Sequence, residues 1–239
     1  MKTLLITGAT SGIGKALALH AATQGYKIIA CGRNEGVLEE LATSPQITTK
    51  KFDLTSLEET RTALASVQFD IAVLNAGSCE YVDSDDFTTA LFRRVFEINF
   101  FGMVHSVEAL LPNLRPGNQL VIVDSMARLF PFTRSEAYGA SKAAVHYFTQ
   151  SLSVDLAPRH IHVQHVSPGF IDTPLTQKND FAMPMKISAK QAAIAMLKGI
   201  EKKKQNLYFP VGFGWLMRFL HGLPTGIQQW LSKKMRQQQ

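Results

Sequence analysis

The chain has 239 residues, of which 46% are hydrophobic and 18% charged, and its formal net charge at pH 7 is +6. This composition supplies enough apolar side chains for a core and excludes a disordered or fibrous protein. The positive charge is concentrated at one end, because residues 198–239 contain eight Lys and Arg residues and a single acid, which leaves the rest of the chain at −1. That distribution argues against a general nucleic-acid-binding surface, and no nucleic-acid partner is expected.

Two cysteines, Cys31 and Cys79, stand far apart and in no C-x-x-C pair. This spacing excludes a disulfide scaffold and a cysteine-based zinc site. His160, His162 and His165 lie close together in the sequence, but His165 is expected on the other face of a strand, so no metal site is predicted. No apolar run has the length of a signal peptide or of a membrane-spanning helix. We therefore expect a reducing, cytoplasmic setting.

Short apolar runs alternate with helical patterns as far as residue 210. The runs are rich in Ile and Val and lack the apolar–polar alternation of a half-exposed strand, which is typical of parallel strands covered on both faces. The pattern predicts one α/β domain over residues 1–210, a doubly wound Rossmann-type parallel sheet of about seven strands with helices on both faces. The predicted strands are Thr3–Ile6, Lys27–Ala30, Ile47–Phe52, Ile71–Leu74, Gln119–Val123, Ile161–Val166 and Asn206–Phe209. The predicted helices are Gly12–Gln24, Ser56–Val67, Thr88–Leu111, Glu136–Leu156 and Ser188–Ile200.

A glycine-rich turn follows the first predicted strand directly. The backbone N–H groups of such a turn, together with the N-terminus of the next helix, bind a pyrophosphate. We expect Gly8 to make the tight turn, Gly12 to admit the phosphate and Gly14 to allow close packing of helix on strand. An ordinary tight turn is the alternative, which the position at the first strand–helix junction disfavours. The candidate cofactor-binding residues of this turn are Gly8, Thr10, Ser11, Gly12, Ile13 and Gly14.

The end of the second predicted strand bears on the choice between NADP and NAD. An acid at this point binds the ribose 2′-OH of NAD, but Arg33 stands there instead, and a guanidinium pairs well with a 2′-phosphate. Glu35 is the competing candidate, although an acid at that position also suits the start of a helix. We predict NADP as the cofactor, with NAD as the alternative.

Tyr138 and Lys142 are four residues apart on a predicted helix and therefore share one face. The reference pKa of tyrosine, about 10, is high for acid–base chemistry near neutrality. A nearby lysine cation together with an oxidised nicotinamide would favour the phenolate and lower that pKa. Ser125 follows the strand Gln119–Val123 and is expected at the same crevice, where its hydroxyl can donate to a substrate carbonyl.

In this combination the sequence resembles the classical short-chain dehydrogenase/reductase family over residues 3 to about 175. Asp53-Leu54 matches the aspartate segment after the third strand, and Asn75-Ala76-Gly77 matches the signature after the fourth. Asn99 matches the helix asparagine of a catalytic tetrad, and the segment Pro168 to Thr173 matches the one that lines the nicotinamide. The tetrad that the resemblance implies is Asn99, Ser125, Tyr138 and Lys142.

The resemblance also implies roles. Tyr138 transfers a proton, Ser125 orients and polarises the carbonyl, and Lys142 binds the nicotinamide ribose and lowers the pKa of Tyr138. Asn99 holds a water that links Lys142 to solvent, and Asp53 contacts the adenine. The further cofactor-binding residues that it implies are Asp53, Leu54, Asn75, Ala76, Gly77, Tyr138, Lys142, Pro168, Gly169, Ile171 and Thr173.

Two positions depart from the family pattern. Leu74 stands where many members have a first asparagine, although Asn75 remains. The basic residue that many NADP-dependent members carry within the glycine turn is absent, and Thr10 and Ser11 stand there instead. Arg33 is therefore the main sequence feature in favour of NADP.

The substrate side is expected to be apolar. Residues 172–187, which close over the substrate in the family, include Phe181, Met183 and Met185, side chains suited to an adaptable pocket. The sequence thus predicts an NADP(H)-dependent oxidoreductase that interconverts an alcohol and a carbonyl on an apolar small or medium substrate, as a 3-oxoacyl reductase or a general carbonyl reductase does. The alternative is a non-catalytic dinucleotide-binding sensor or scaffold, which would have no need of a complete tetrad.

Residues 211–239 form a basic amphipathic C-terminal extension. Trp215, Phe219 and Trp230 recur there at helical offsets beside Arg and Lys residues. One interpretation is a peripheral contact with an anionic membrane; the other, which we favour from the sequence, is packing over the substrate cleft of the same or a partner subunit. The family resemblance further implies a homodimer or homotetramer.

Overall fold

The computed structural model describes residues 1–177, 179 and 181–236. Residues 178 and 180 of the predicted substrate segment and residues 237–239 of the predicted extension lie outside the described residues. The strands are β1 (Thr3–Thr7), β2 (Lys27–Gly32), β3 (Ile47–Lys51), β4 (Ile71–Leu74), β5 (Gln119–Val123), β6 (His162–Pro168), β7 (Ile171–Asp172), β8 (Ile187–Ser188) and β9 (Asn206–Phe209). The α-helices are α1 (Gly12–Thr23), α2 (Glu35–Ala42), α3 (Leu57–Leu64), α4 (Thr89–Phe96), α5 (Gly102–Leu110), α6 (Glu136–Leu156), α7 (Ala189–Glu201), α8 (Val211–His221) and α9 (Thr225–Arg236).

Seven strands form one parallel sheet in the order β3-β2-β1-β4-β5-β6-β9. The chain moves outward from β1 to β3 and then resumes on the other side of β1 with β4. Crossovers that diverge in this way leave a crevice at the carboxyl ends of β1 and β4, where ligands bind in doubly wound sheets. The predicted Rossmann-type sheet of about seven strands is confirmed.

Both faces of the sheet are covered by helices. Along β1, Leu4 and Ile6 pack into the layer that contains α1 and α7, while Leu5 packs into the layer that contains α3, α5 and α6. All three side chains are fully buried. Because consecutive side chains of a strand point to opposite faces, a strand covered on both sides consists of apolar residues throughout.

The long helix predicted over Thr88–Leu111 is interrupted. A π-helical turn, Glu97–Phe101, separates α4 from α5. The apolar residues of this segment keep a regular helical spacing, so the sequence does not predict the wider turn. It places Asn99 inside the protein with 1% of its surface exposed, and π-helical turns of this kind frequently occur at functional sites.

The C-terminal helices pack on the 3₁₀ turn Met126–Leu129 that follows β5. Phe213 and Met217 of α8 are buried against Met126 and Phe130. The hydroxyl of Ser232 on α9 donates to the carbonyl of Pro131. Within the described ranges, no helix combines the length and the apolar character that crossing a bilayer requires.

His165 on β6 is buried, unlike His160 and His162, and only 6% of its surface is exposed. Its ring packs edge-on against that of His146, with 4.4 Å between the ring centroids. Burial lowers the pKa of His165 to about 4, against the opposing influence of Asp124. Because the pKa of the imidazole is lower in the folded than in the unfolded protein, protonation between pH 6.5 and 4 favours the unfolded state. The stability that neutral His165 contributes is therefore present above pH 6.5 and is lost as the pH falls toward 4.

We expect His165→Gln to flatten the acid limb of the stability curve. Over the window from pH 6.5 to 4 the wild type loses about 2 kcal/mol that the variant keeps. Urea unfolding at a series of pH values measures this difference. The same change at exposed His160 is the matched control. An identical slope for wild type and His165→Gln would contradict the assignment.

Candidate active site

A crevice of about 410 Å³ opens at the carboxyl ends of β1, β2, β4 and β5. Nearly all the residues predicted to bind a cofactor line it. They are Gly8, Thr10, Ser11, Gly12, Ile13, Arg33, Asp53, Leu54, Asn75, Ala76, Gly77, Tyr138, Lys142, Pro168, Gly169, Ile171 and Thr173. Ser125 lines the same crevice. Gly14 and Asn99 do not, because both lie behind its wall.

The glycine turn is tied tightly to β4. The side-chain amide of Asn75 donates to the carbonyls of Thr7 at 3.2 Å and Gly8 at 3.4 Å. A Cβ atom on Gly14 would lie 2.2 Å from the Gly8 carbonyl oxygen, so only glycine lets α1 approach the turn this closely. The N-terminus of α1 therefore directs its free N–H groups into the crevice.

Arg33 lies at the end of β2 and forms an ion pair with Asp53, with 3.2 Å between Nη1 and Oδ2. Burial alone would raise the pKa of Asp53, but hydrogen bonds from Thr55 and the contact with Arg33 lower it. Glu35 begins α2 and pairs with Lys51 at 2.6 Å, and it is absent from the crevice lining. Of the two candidates for recognising the ribose, Arg33 is the one at the crevice.

Ser125, Tyr138 and Lys142 converge at the inner end of the crevice. Ser125 lies close enough to the Tyr138 hydroxyl to lower its pKa, although burial outweighs this effect. The Ser125 hydroxyl also accepts from the backbone N–H of Ala127 at 3.1 Å, which fixes its oxygen. The Lys142 ammonium donates to the Val123 carbonyl at 3.1 Å and lies 6.0 Å from the centre of the Tyr138 ring.

Asn99 holds two parts of the site together from within the π-helical turn. Its amide nitrogen donates to the Ser78 carbonyl and to the Ser141 hydroxyl, both at 2.9 Å, and its oxygen accepts from the Ser78 N–H at 2.7 Å. Ser141 directly precedes Lys142 on α6. Asn99 thus joins the segment after β4 to the helix that carries Tyr138 and Lys142.

Burial has the largest influence on the pKa of Tyr138 and on that of Lys142. Burial raises the pKa of Tyr138 above the ordinary range for tyrosine, with a further contribution from Cys79, and Lys142 does not offset this. Burial also lowers the pKa of Lys142 to about 8. Desolvation is thus the largest influence on both groups. That Lys142 together with an oxidised nicotinamide lowers the pKa of Tyr138 stays a prediction.

A second cavity, of about 260 Å³, begins where the crevice ends. Ser125 and Tyr138 line both. The walls of the second cavity are mainly apolar and come from three places: the segment after Ser125, the segment 168–184, and the C-terminal helices. Its principal apolar residues are Met126, Phe130, Phe132, Phe170, Leu175, Phe181, Phe213, Leu216, Met217, Leu220 and Met235.

Several residues of this second cavity lie outside the sequence prediction. Cys79 and Tyr81 come shortly after the Asn-Ala-Gly segment, and α8 contributes Phe213 and Met217. Packing of the C-terminal extension over the cleft is the interpretation favoured from the sequence, but the individual residues that reach the cavity do not follow from the apolar spacing within α8. Burial raises the pKa of the Cys79 thiol to about 11, so it remains protonated near neutrality.

A buried charge cluster lies directly beneath the site. One oxygen of Asp124 accepts from Nε of Arg128 and from Nδ1 of His146, both at 2.8 Å. The Asp124 side chain is fully buried and that of Arg128 is 7% exposed. Arg128 also reaches the hydroxyls of Ser167 and Tyr208 at 3.4 and 3.3 Å. These contacts fix the 3₁₀ turn that follows Ser125.

Comparison with known proteins identifies the family. A family model described as short chain dehydrogenase matches residues 2–183. An uncharacterized oxidoreductase of Staphylococcus epidermidis is 33% identical over 82% of this chain and 89% of that protein. A 3beta-hydroxysteroid dehydrogenase of Mediterraneibacter gnavus is 32% identical over 74% of this chain and 69% of that enzyme. A solved structure of a short chain dehydrogenase/reductase family protein has a TM-score of 0.80 at 28% identity, covering 87% of this chain and 94% of that one.

The family model spans about three quarters of the sequence, and the fold agrees with it. The chain therefore belongs to the short-chain dehydrogenase/reductase family, whose members are NAD(P)-dependent oxidoreductases that act on CH–OH groups.

Proposed function

We propose that this chain is an NADP(H)-dependent oxidoreductase that interconverts an alcohol and a carbonyl on an apolar substrate of small or medium size. The observation that carries the proposal is that two cavities, one beside the glycine turn and one mainly apolar, meet at Ser125 and Tyr138. Reactants that occupy the two cavities face each other across the same two hydroxyl groups. Holding both in this way lowers the entropic cost of a transfer between them.

The side chains at the junction suit the proton and charge changes of the reaction. In the reducing direction, Tyr138 donates the proton that the substrate oxygen takes up, and Ser125 donates a hydrogen bond to that oxygen as negative charge develops on it. The Lys142 ammonium stabilises the phenolate that remains after the proton has left. Asn99 positions Lys142 through Ser141. A nicotinamide dinucleotide, when bound, supplies the hydride for reduction and accepts it for oxidation.

The crevice fits such a dinucleotide. A side chain on Gly12, whose φ is +50°, would meet the Thr173 methyl at 3.1 Å and fill the space beside the glycine turn. With glycine there, the turn and the N-terminus of α1 can hold the pyrophosphate, and Lys142 can reach the nicotinamide ribose. Asp53 and Leu54 stand at the outer end, where the adenine would lie.

Arg33 supports NADP over NAD. Its side chain is 64% exposed, and its pairing with Asp53 uses a single nitrogen. The remaining N–H groups are available for a 2′-phosphate at the end of β2, a group that an acid at this point would repel.

We expect Arg33→Ser to weaken NADPH binding about 10- to 100-fold, the loss that one or two charge-assisted hydrogen bonds predict. NADH binding should change little, since it has no 2′-phosphate. Quenching of protein fluorescence by each dinucleotide measures both affinities. Lys51→Ser, which removes an exposed cation from the next strand, is the matched control. Equal losses for NADPH and NADH, or no loss for either, would contradict this role.

The apolar cavity supports the proposed substrate class. Phenylalanine and methionine side chains surround the approach to Ser125 and Tyr138. The relative named as a 3beta-hydroxysteroid dehydrogenase, at 32% identity, acts by its name on the hydroxyl of a bulky apolar ring system. We infer that this chain accepts ketones and secondary alcohols with an apolar body.

A panel of ketones of increasing apolar size, assayed with NADPH and with NADH, tests the proposed function. Each methylene that enters the cavity should raise kcat/KM about threefold to fourfold until the cavity is full. The rise should be absent in Phe213→Ser, which makes the cavity wall polar. Turnover of no ketone with either dinucleotide would instead support a sensor on the same fold.

A further inference from the structure

The C-terminal helices expose an apolar stripe. Val211, Trp215 and Phe219 recur every fourth residue along α8 and are 65–68% exposed. The opposite side of α8 packs into the protein through Phe213 and Met217, so the residues of the exposed stripe are not needed to hold the helix in place. On α9, Ile227 and Trp230 are 46% and 53% exposed. Large apolar side chains exposed on each of the two C-terminal helices in this way are typical of an interaction site.

Cations accompany the exposed aromatic rings. The guanidinium carbon of Arg218 lies 5.0 Å from the centre of the Trp215 ring, and Nζ of Lys234 lies 4.2 Å from that of Trp230. Lys233 and Arg236 also belong to α9, whereas residues 211–239 contain no Asp or Glu at all. The surface is thus both apolar and positively charged.

The same surface adjoins the mouth of the apolar cavity. Leu216 of α8 and Met235 of α9 line the cavity, yet each is 44% exposed. Met185 is 55% exposed and lies near the start of α8, its sulfur 3.9 Å from the position that a Cβ on Gly212 would take. The cavity therefore opens among apolar side chains and next to the cations.

We propose that this docking surface, formed by Val211, Trp215, Phe219, Ile227 and Trp230 with the cations of α8 and α9, binds a lipid bilayer that contains anionic phospholipid. Apolar side chains of an amphipathic helix enter the boundary between headgroups and acyl chains, where tryptophan is especially favourable. Lysine and arginine bind the phosphates beside them. A second copy of this surface is a poorer partner, because symmetrical pairing brings its cations together without acids to neutralise them.

Vesicle flotation with the full-length chain tests this docking and needs no enzymatic reaction, so its outcome is independent of the proposed function. The chain should float with vesicles of phosphatidylcholine and phosphatidylglycerol, less so at high salt, and weakly with phosphatidylcholine alone. Trp215→Ser/Trp230→Ser and, separately, Lys233→Glu/Lys234→Glu should each weaken partitioning about tenfold or more.

Matched controls use the same kinds of change elsewhere on the surface. Tyr147→Ser/Val154→Ser removes two side chains of α6 that are 75% and 71% exposed. Lys27→Glu/Lys190→Glu reverses two exposed charges outside the C-terminal helices. Both should float like the wild type, and thermal melts should show that all four variants are folded.

Three results would overturn the proposal. The first is the absence of flotation of the wild type with anionic vesicles at low salt. The second is flotation of both docking-surface variants to the same extent as the wild type. The third is a wild type that does not float and that light scattering shows to be a dimer, while Trp215→Ser/Trp230→Ser is a monomer. That result would make this surface a subunit interface.

Discussion

Turnover of a carbonyl substrate should fall about 10²- to 10⁴-fold when Tyr138 is replaced by phenylalanine, while the affinity for the dinucleotide stays close to that of the wild type. The change removes the only group at the junction of the two cavities to which we assign proton transfer. It leaves the ring in place, so the walls of both cavities are preserved. Steady-state kcat together with fluorescence titration of the dinucleotide separates the two effects.

The control for this prediction is Tyr147→Phe, which removes an exposed hydroxyl from the same helix. Ser125→Ala is a useful third variant, because it removes hydrogen bonding to the substrate oxygen and leaves the proton donor. Should Tyr138→Phe keep wild-type kcat, the proton must come from another group and the assignment fails.

Replacing Asp124 by asparagine should cost about 3–5 kcal/mol of unfolding free energy, the largest effect on stability that we expect. Asp124 is the acid beside Arg128, whose side chain is 7% exposed. Without it the guanidinium stays buried and loses its counter-charge. Chemical denaturation of wild type and variant at pH 7 gives the difference directly.

The double variant Asp124→Asn/Arg128→Gln distinguishes pairing from general damage. Once both charges are gone, no uncompensated ion remains, so the double variant should be more stable than Asp124→Asn alone. Glu40→Gln, which breaks the exposed ion pair with Lys15, is the matched surface control and should cost less than about 1 kcal/mol. A double variant with the summed losses of its two single changes would contradict a buried pair.

The sheet could be predicted closely because its signal is local and strong. Strands such as Ile71–Leu74 and Gln119–Val123 begin and end where their Ile- and Val-rich runs do. The glycine turn, Ser125 and Tyr138 follow strands or begin helices, so the connectivity of a parallel sheet brings them to one edge. For this part of the molecule, order along the chain is enough to predict proximity in space.

Other features depend on contacts that no local pattern encodes. The π-helical turn at Asn99 interrupts an apolar spacing that by itself favours one continuous helix. The raised pKa of Tyr138 results from burial by elements distant in sequence. Likewise, the sequence favours packing of the C-terminal extension over the cleft, but it does not reveal that Phe213 and Met235 are among the residues that line the cavity. Which side chains reach the cavity is decided by tertiary packing.

Deuterium transfer measures the central claim most directly. NADPH carrying deuterium in both positions at nicotinamide C4 is incubated with the wild type and an apolar ketone, and the alcohol formed is analysed by mass spectrometry. We predict one deuterium, bonded to the carbinol carbon, in each molecule of alcohol, and about 10²- to 10⁴-fold less alcohol from Tyr138→Phe in the same time. An alcohol without deuterium, or a protein that binds NADPH and reduces no ketone, would contradict hydride transfer at this site.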